Sequence, residues 1–243
     1  MRSRFLSLTL SLTLLSPPVL AGHGAPDEPL PGPAQIHAAL QHVLDSNREF
    51  VANHGASYFK PFMDHQTPLV TVVSCSDSRA QMHAVDRHPD NDVFVIRNIG
   101  NQIGTAEGSV EYGIRHLHTP LLLVIGHSAC GAIKATLGDY SAEPAAIKDE
   151  LDTIHIARGD EWMAAVVTNV NNQVAMALKK FAHEVEGRQL AVMGAVYDFR
   201  DDLKHGHGRL TVVNLNGETD AAKLKQSPLL QGIEELSVGT QAP

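Results

Sequence analysis

The sequence predicts an α/β domain whose central sheet is mostly parallel and covered by helices. Three observations carry that prediction. Short apolar runs, most plainly LLLVI at 121–125, lack the polar alternation of a strand with one wet face, as expected for a parallel strand buried on both sides. Segments with helical spacing separate these runs. The alternation of strand and helix persists from 69 to 215, the pattern of a sheet wound through crossover helices.

The elements follow in order. Residues 35–53 place Ile36, Leu40, Val43, Leu44 and Val51 on one helical stripe, suited to packing across a partner subunit instead of the chain's own core. Strands are expected at 69–73 and 93–96. A helix is expected over 105–116, with Thr105 as its N-cap and Gly108 as a weak point. The strand at 121–125 leads to a helix from about Cys130 to Leu137, then to short helices and loops over 138–160. Trp162, Val166, Val170, Val174, Leu178, Phe181 and Val185 form one long stripe, read as core packing. Strands at 190–199 and 209–215 flank the polar turn DDLKHGHG.

The ends of the chain differ from this middle. Arg2 and Arg4 precede an apolar stretch, then Pro17, Pro18 and the small-residue pattern Val19-Leu20-Ala21. Residues 1–21 therefore read as a secretory signal peptide cut after Ala21, with an uncleaved anchor as the alternative, for which the apolar run is short. The protein is expected to be exported, to the periplasm, with no stable membrane insertion after cleavage. Residues 22–34, rich in Pro and Gly, read as a flexible leader, 35–217 as the catalytic domain and 218–243 as a polar tail frayed at its end. Of the 19 basic residues, losing Arg2 and Arg4 leaves 17 against 27 acidic ones, a net charge of −10. A nucleic-acid partner is excluded on that balance, because phosphate binding needs a basic face.

The chemistry concentrates in two short stretches. TVVSCSDSRA at 71–80 ends a buried strand on Cys75, Asp77 and Arg79, and GHSACGA at 126–132 ends another on His127, with Cys130 three residues on. Ligands of parallel sheets gather beyond the carboxyl ends of the strands. If these two strands are neighbours, two sulfurs and one imidazole converge, a set suited to tetrahedral Zn²⁺. A helix N-terminus at Cys130 would favour its thiolate. Three protein ligands leave a fourth position for water or for Asp77, and a zinc-bound water ionises near neutral pH to give hydroxide as a nucleophile. Arg79 is placed to hold Asp77 off the metal by a paired hydrogen bond, freeing it to orient that hydroxide. Two competing readings stand beside zinc: a disulfide between Cys75 and Cys130, natural in an exported chain, and inert core thiols. His205 and His207 of HGHG are read as a solvated turn, and His83 as a surface residue whose one claim to proton transfer is its closeness to the dyad.

At these residues the sequence resembles the β-class carbonic anhydrases. CSDSR at 75–79, RNIGN at 97–101, EYG at 111–113 and GHSACGA at 126–132 match that family's motifs in order and spacing. The resemblance runs from about Gln35 to Leu215. It implies a β-carbonic anhydrase-like fold, Cys75, His127 and Cys130 as zinc ligands, and Asp77 with Arg79 as the dyad. It also implies Gln66 and Tyr112 as substrate-binding residues, the glutamine reaching in from the neighbouring side of the cleft. A cleft built at a subunit interface implies a homodimer or higher even assembly. Ala80-Gln81-Met82-His83 depart from the family's pattern after CSDSR, which leaves that cleft wall open. The activity expected is reversible hydration of CO₂ to bicarbonate and a proton. The alternatives are hydrolysis of carbonyl sulfide or carbon disulfide at the same site, and an exported zinc-binding protein with no turnover.

Overall fold

Backbone pairing, more than side-chain polarity, decides how far each strand of this sheet runs. The structure is a computed structural model and describes residues 30–239. The signal peptide expected at 1–21 and the first part of the leader lie outside the described residues. Helix α1 (Pro33–Asn53) and the short α2 (Ala56–Phe59) precede β1 (Val70–Cys75) and β2 (Val93–Asn98). After α3 (Glu107–Glu111) come β3 (Leu121–His127), α4 (Gly131–Leu137) and α5 (Ala145–Leu151). The long α6 (Trp162–Lys180) and α7 (Ala182–Glu186) lead into β4 (Ala191–Asp198), β5 (Arg209–Leu215) and α8 (Ala221–Gln226).

The strands form one sheet in the order β2-β1-β3-β4-β5. The first four run parallel and β5 closes the edge antiparallel. The strands of β1 and β3 are longer than the apolar runs predicted. Ser74 and Cys75 pair with Arg97 and Asn98, and Gly126 and His127 pair with Val196 and Tyr197. Polar residues that look like punctuation in the sequence are thus the last rungs of the ladder.

Side chains alternate between two faces, as the strand period requires. Val73, Leu122, Val124, Val192 and Val196 face α6, where Val166, Val170 and Val174 bury the stripe read from the sequence. Val72, Leu123, Ile125 and Ala195 form a smaller cluster on the opposite face with Met82 and Tyr197 against it. Close approach of α6 rests on two glycines. A Cβ at Gly126 would stand 2.6 Å from Val170 Cγ2, and one at Gly194 would stand 2.7 Å from Val170 Cγ1 and 2.9 Å from Val174 Cγ2.

Four expectations need correction. Thr105 does not cap a helix: residues 104–106 make a 3₁₀ turn, its hydroxyl accepts from Asn98 Nδ2 (2.9 Å), and α3 begins at Glu107. From Tyr112 to His116 the backbone widens to π geometry, closed by Leu117 N–H donating to the Tyr112 carbonyl (3.0 Å). The long stripe breaks at Phe181, which leaves helical geometry to bury its ring fully. The segment after Gly217 is not merely polar: Leu224, Leu230 and Val238 are buried against Val212 and Leu215, and Val238 bridges to Val212 alongside β5.

The stripe of α1 finds no cover among the described residues. Ile36, Leu40, Val43, Leu44 and Val51 are all exposed, Leu40 at 60% and Val43 at 63%.

The packing of α6 yields a prediction. Gly194→Ala should lower stability by about 1–3 kcal/mol, the usual cost of overpacking a filled core. Urea unfolding would show it as a lower midpoint with an unchanged slope, and an unchanged midpoint would contradict the close approach.

Candidate metal centre

The strand order reverses between β1 and β3. The chain passes from β1 to β2 on one side, then returns to lay β3 on the other, which makes the crevice beyond their carboxyl ends the topological switch point of the sheet. Cys75 is the last residue of β1 and His127 the last of β3. Cys130 follows as the N-cap of α4, one residue outside the helix predicted to begin with it. Ala129 between them takes a positive φ of 54°, a conformation that costs a side chain-bearing residue and clusters at functional sites. That turn folds the loop back so that Cys130 faces His127.

The donor atoms of Cys75, His127 and Cys130 all lie within 4.8 Å of one another, and all three side chains are buried. The two sulfurs are not joined. His127 Nδ1 sits 2.9 Å from the Ser128 carbonyl, so Nδ1 carries the proton and donates it there. Nε2 is then a bare lone pair, fully buried and without a partner. A buried acceptor left open beside two thiols is the signature of a site built for a cation. The thiols agree with this. A hydrogen bond from the Cys130 thiol holds Cys75 well below the ordinary range, while Cys75 in turn pushes Cys130 up. The protein alone stabilises one thiolate, and a second needs positive charge between them. Two sulfurs and an imidazole nitrogen are the donor set of tetrahedral Zn²⁺.

Asp77 and Arg79 form the pair expected of them. Arg79 donates from Nε to Asp77 Oδ1 (2.9 Å) and from Nη2 to Oδ2 (2.6 Å), and its backbone N–H donates to Oδ1 (2.9 Å). These bonds hold the Asp77 carboxyl down at about 2, so it is an acceptor at neutral pH. Asp77 Oδ2 stands 3.8 Å from His127 Nε2, close to the donor cluster yet committed to Arg79. Arg79 also donates to the Ala129 carbonyl (3.1 Å), tying the dyad to the loop between the two candidate ligands.

An open cleft of about 330 Å³ adjoins the cluster. Cys75, Ser76 and Asp77 form one wall, and Ile99, Ala132, Ala135, Ile147 and Leu151 supply apolar surface. None of residues 80–83 lines it. Gln81 instead accepts from Arg97 Nη1 (3.1 Å), and Ala80 is buried. Gln66 and Tyr112 do not line it either. Gln66 is exposed on the segment before β1, and the half-exposed Tyr112 packs its ring on Phe94 and His116. His83, His205 and His207 are exposed, and the Cys75–His127–Cys130 group is the one cluster of metal-ligating type among the described residues.

Arg97 is a site residue to which sequence reading gave no role. Its guanidinium donates to the Cys75 carbonyl (3.0 Å) and to the Asp77 carbonyl (2.6 Å), clamping the backbone that carries both side chains. Its position opening RNIGN was the available signal.

Comparison with known proteins agrees with this geometry. A family model described as carbonic anhydrase matches residues 70–204, more than half of the chain. A carbonic anhydrase of Mycolicibacterium smegmatis is 29% identical over 184 residues, covering 68% of this chain and 89% of that protein. Carbonic anhydrase 2 of Mycobacterium tuberculosis is 27% identical over 188 residues, with the same coverage of each. Among solved structures, the β-carbonic anhydrase CcaA superposes with a TM-score of 0.62 at 22% identity, over 74% of this chain and 95% of that one. With the motif-bearing strands inside the matched segment and the sheet sharing the fold of β-class structures, the chain belongs to the carbonic anhydrases, a family of lyases.

Proposed function

We propose that this protein catalyses the reversible hydration of carbon dioxide to bicarbonate and a proton, with Zn²⁺ held by Cys75, His127 and Cys130. The observation that carries the reading is the unpartnered, buried Nε2 of His127 within 4.8 Å of two free thiols, one of which, Cys75, lines an apolar cleft. Zinc held by these three residues would supply Lewis acidity, which brings the pKa of water towards neutrality.

The chain's own groups do the rest. Asp77 is ionised at neutral pH, and its carboxylate accepts the proton-bearing side of the attacking water and turns a lone pair towards the cleft. Arg79 keeps both carboxylate oxygens engaged, which would keep Asp77 from serving as a further metal ligand. Ile99, Ala132, Ala135, Ile147 and Leu151 offer a linear apolar molecule a surface without competing hydrogen bonds. Carbonyl sulfide and carbon disulfide would meet the same wall, but the departure at 80–83 that raised them does not line this cleft. A non-catalytic zinc protein would call for a fourth strong ligand, and the ligand cluster among the described residues has three.

Gln66 and Tyr112 reach substrate from a neighbouring subunit in this reading, which accounts for their distance from the cleft lining of their own chain. The uncovered apolar stripe of α1 supports a homo-oligomer with an even number of chains. The export reading of residues 1–21 stands as part of the proposal, with the mature chain starting at Gly22.

Purified mature protein should carry about one zinc per chain and accelerate acidification of CO₂-saturated buffer. Cys75→Ser should lower metal content and activity together, by at least about a hundredfold in kcat/KM. A Cys75→Ser protein with full activity would sink the mechanism. Native mass spectrometry should find subunits beginning at Gly22 in an even assembly, and Leu40→Glu with Leu44→Glu should dissociate it. Monomeric wild-type protein of full activity would contradict the shared cleft.

A further inference from the structure

Two aromatic residues outside the donor set and the dyad are fastened to the metal loop. Phe199 follows β4 and lays its ring centroid 5.0 Å from Arg79 Cζ. The same ring stacks with the His127 imidazole at 6.1 Å and 25° between planes. One side chain therefore bears on a candidate ligand and on the dyad's cation. Trp162 opens α6 and donates its Nε1–H to the Cys130 carbonyl (3.0 Å), which also accepts the first helical bond of α4 from Lys134 N–H (3.1 Å). The two aromatics are linked in turn. Arg200, next to Phe199 in the chain, places Cζ 5.8 Å from the Trp162 ring, and Lys134 places Nζ 5.1 Å from it.

We infer that Phe199 and Trp162 are positioning residues of the metal site, Phe199 restraining both the Arg79 guanidinium and the His127 ring and Trp162 fixing the backbone of Cys130. The loop 127–130 needs such support. It passes through a positive φ at Ala129, and the carbonyl of that residue is held by Arg79, whose own side chain is half exposed. A cation beside an aromatic face is attracted by the ring's negative face, so Phe199 limits the swing of Arg79 that would release Asp77. A hydrogen bond to the backbone carbonyl of a ligating residue restrains the main chain that carries the ligand, and outer partners of metal ligands are commonly worth 10–100-fold in metal affinity or activity. This inference rests on the zinc reading above.

The test uses the full mature protein loaded with zinc. The variants are Trp162→Phe, which keeps the ring and loses the donor, Phe199→Leu, which keeps apolar volume and loses the π face, and Phe199→Tyr, which keeps the face. Zinc release to a chromophoric chelator is timed, kcat and KM for CO₂ are measured separately, and thermal unfolding checks that each variant is folded. Trp162 is the chain's single tryptophan, so its emission in the wild type should also change on zinc removal. Trp162→Phe should release zinc about 10–100 times faster. Phe199→Leu should lose about tenfold in kcat with KM unchanged, and Phe199→Tyr should recover to within about twofold. Folded Trp162→Phe and Phe199→Leu proteins that match the wild type within about twofold in release and kcat would overturn the inference while leaving the zinc site standing. Wild-type protein that takes up no zinc would overturn both.

Discussion

The constraint on which the site depends is the adjacency of two parallel strands that are not consecutive in the chain. β1 and β3 pair from Thr71 with Leu122 to Ser74 with Ile125, and this register delivers Cys75 and His127 to one crevice. Neither strand could do this alone. A parallel neighbour requires a crossover, and the crossover between these two contains β2, α3 and the π turn. The fold thereby brings residues 75 and 127 together with only a three-residue step left to reach Cys130.

Electrostatics then explains why the three side chains need a guest. Burial penalises charge, and two thiols side by side resist losing both protons. The histidine donates its proton to a backbone carbonyl and leaves the lone pair of Nε2 without a partner. A divalent cation would satisfy all three groups at once. The neighbouring carboxylate is diverted from that role by Arg79, whose bonds to Asp77 and to the Ala129 carbonyl couple the dyad to the ligand loop. Arg97 performs the matching task from below, holding the carbonyls of Cys75 and Asp77 while Gln81 holds Arg97. The site is therefore kept in shape largely by hydrogen bonds to backbone carbonyls.

Much of this was legible in the sequence because it is written in local pattern. The apolar, β-branched run at 69–73 and the uninterrupted LLLVI marked β1 and β3, and CSDSR and GHSACGA placed sulfur, carboxylate, guanidinium and imidazole at strand ends. The helical stripes of α1 and α6 were visible as periodicity. Periodicity alone did not say that one stripe would be buried and the other left bare; that difference depends on which surface is within reach. Thr105 has the side chain of a cap, but Asn98 competes for its hydroxyl from across a turn. The buried anchors Leu224, Leu230 and Val238 are too sparse within polar sequence to announce packing on β5. Phe199 and Trp162 looked like strand-end and core residues, since their contacts to Arg79, His127 and Cys130 join segments far apart in the chain.

The central claim is that two sulfurs and one imidazole nitrogen hold a single cation that keeps one position open. X-ray absorption at the zinc edge of the purified protein reads this directly. The expected shell has two sulfur atoms at about 2.3 Å, one imidazole nitrogen and one further light atom at about 2.0–2.1 Å. A shell without two sulfurs, or protein isolated with Cys75 and Cys130 bonded to each other and no zinc, would contradict it.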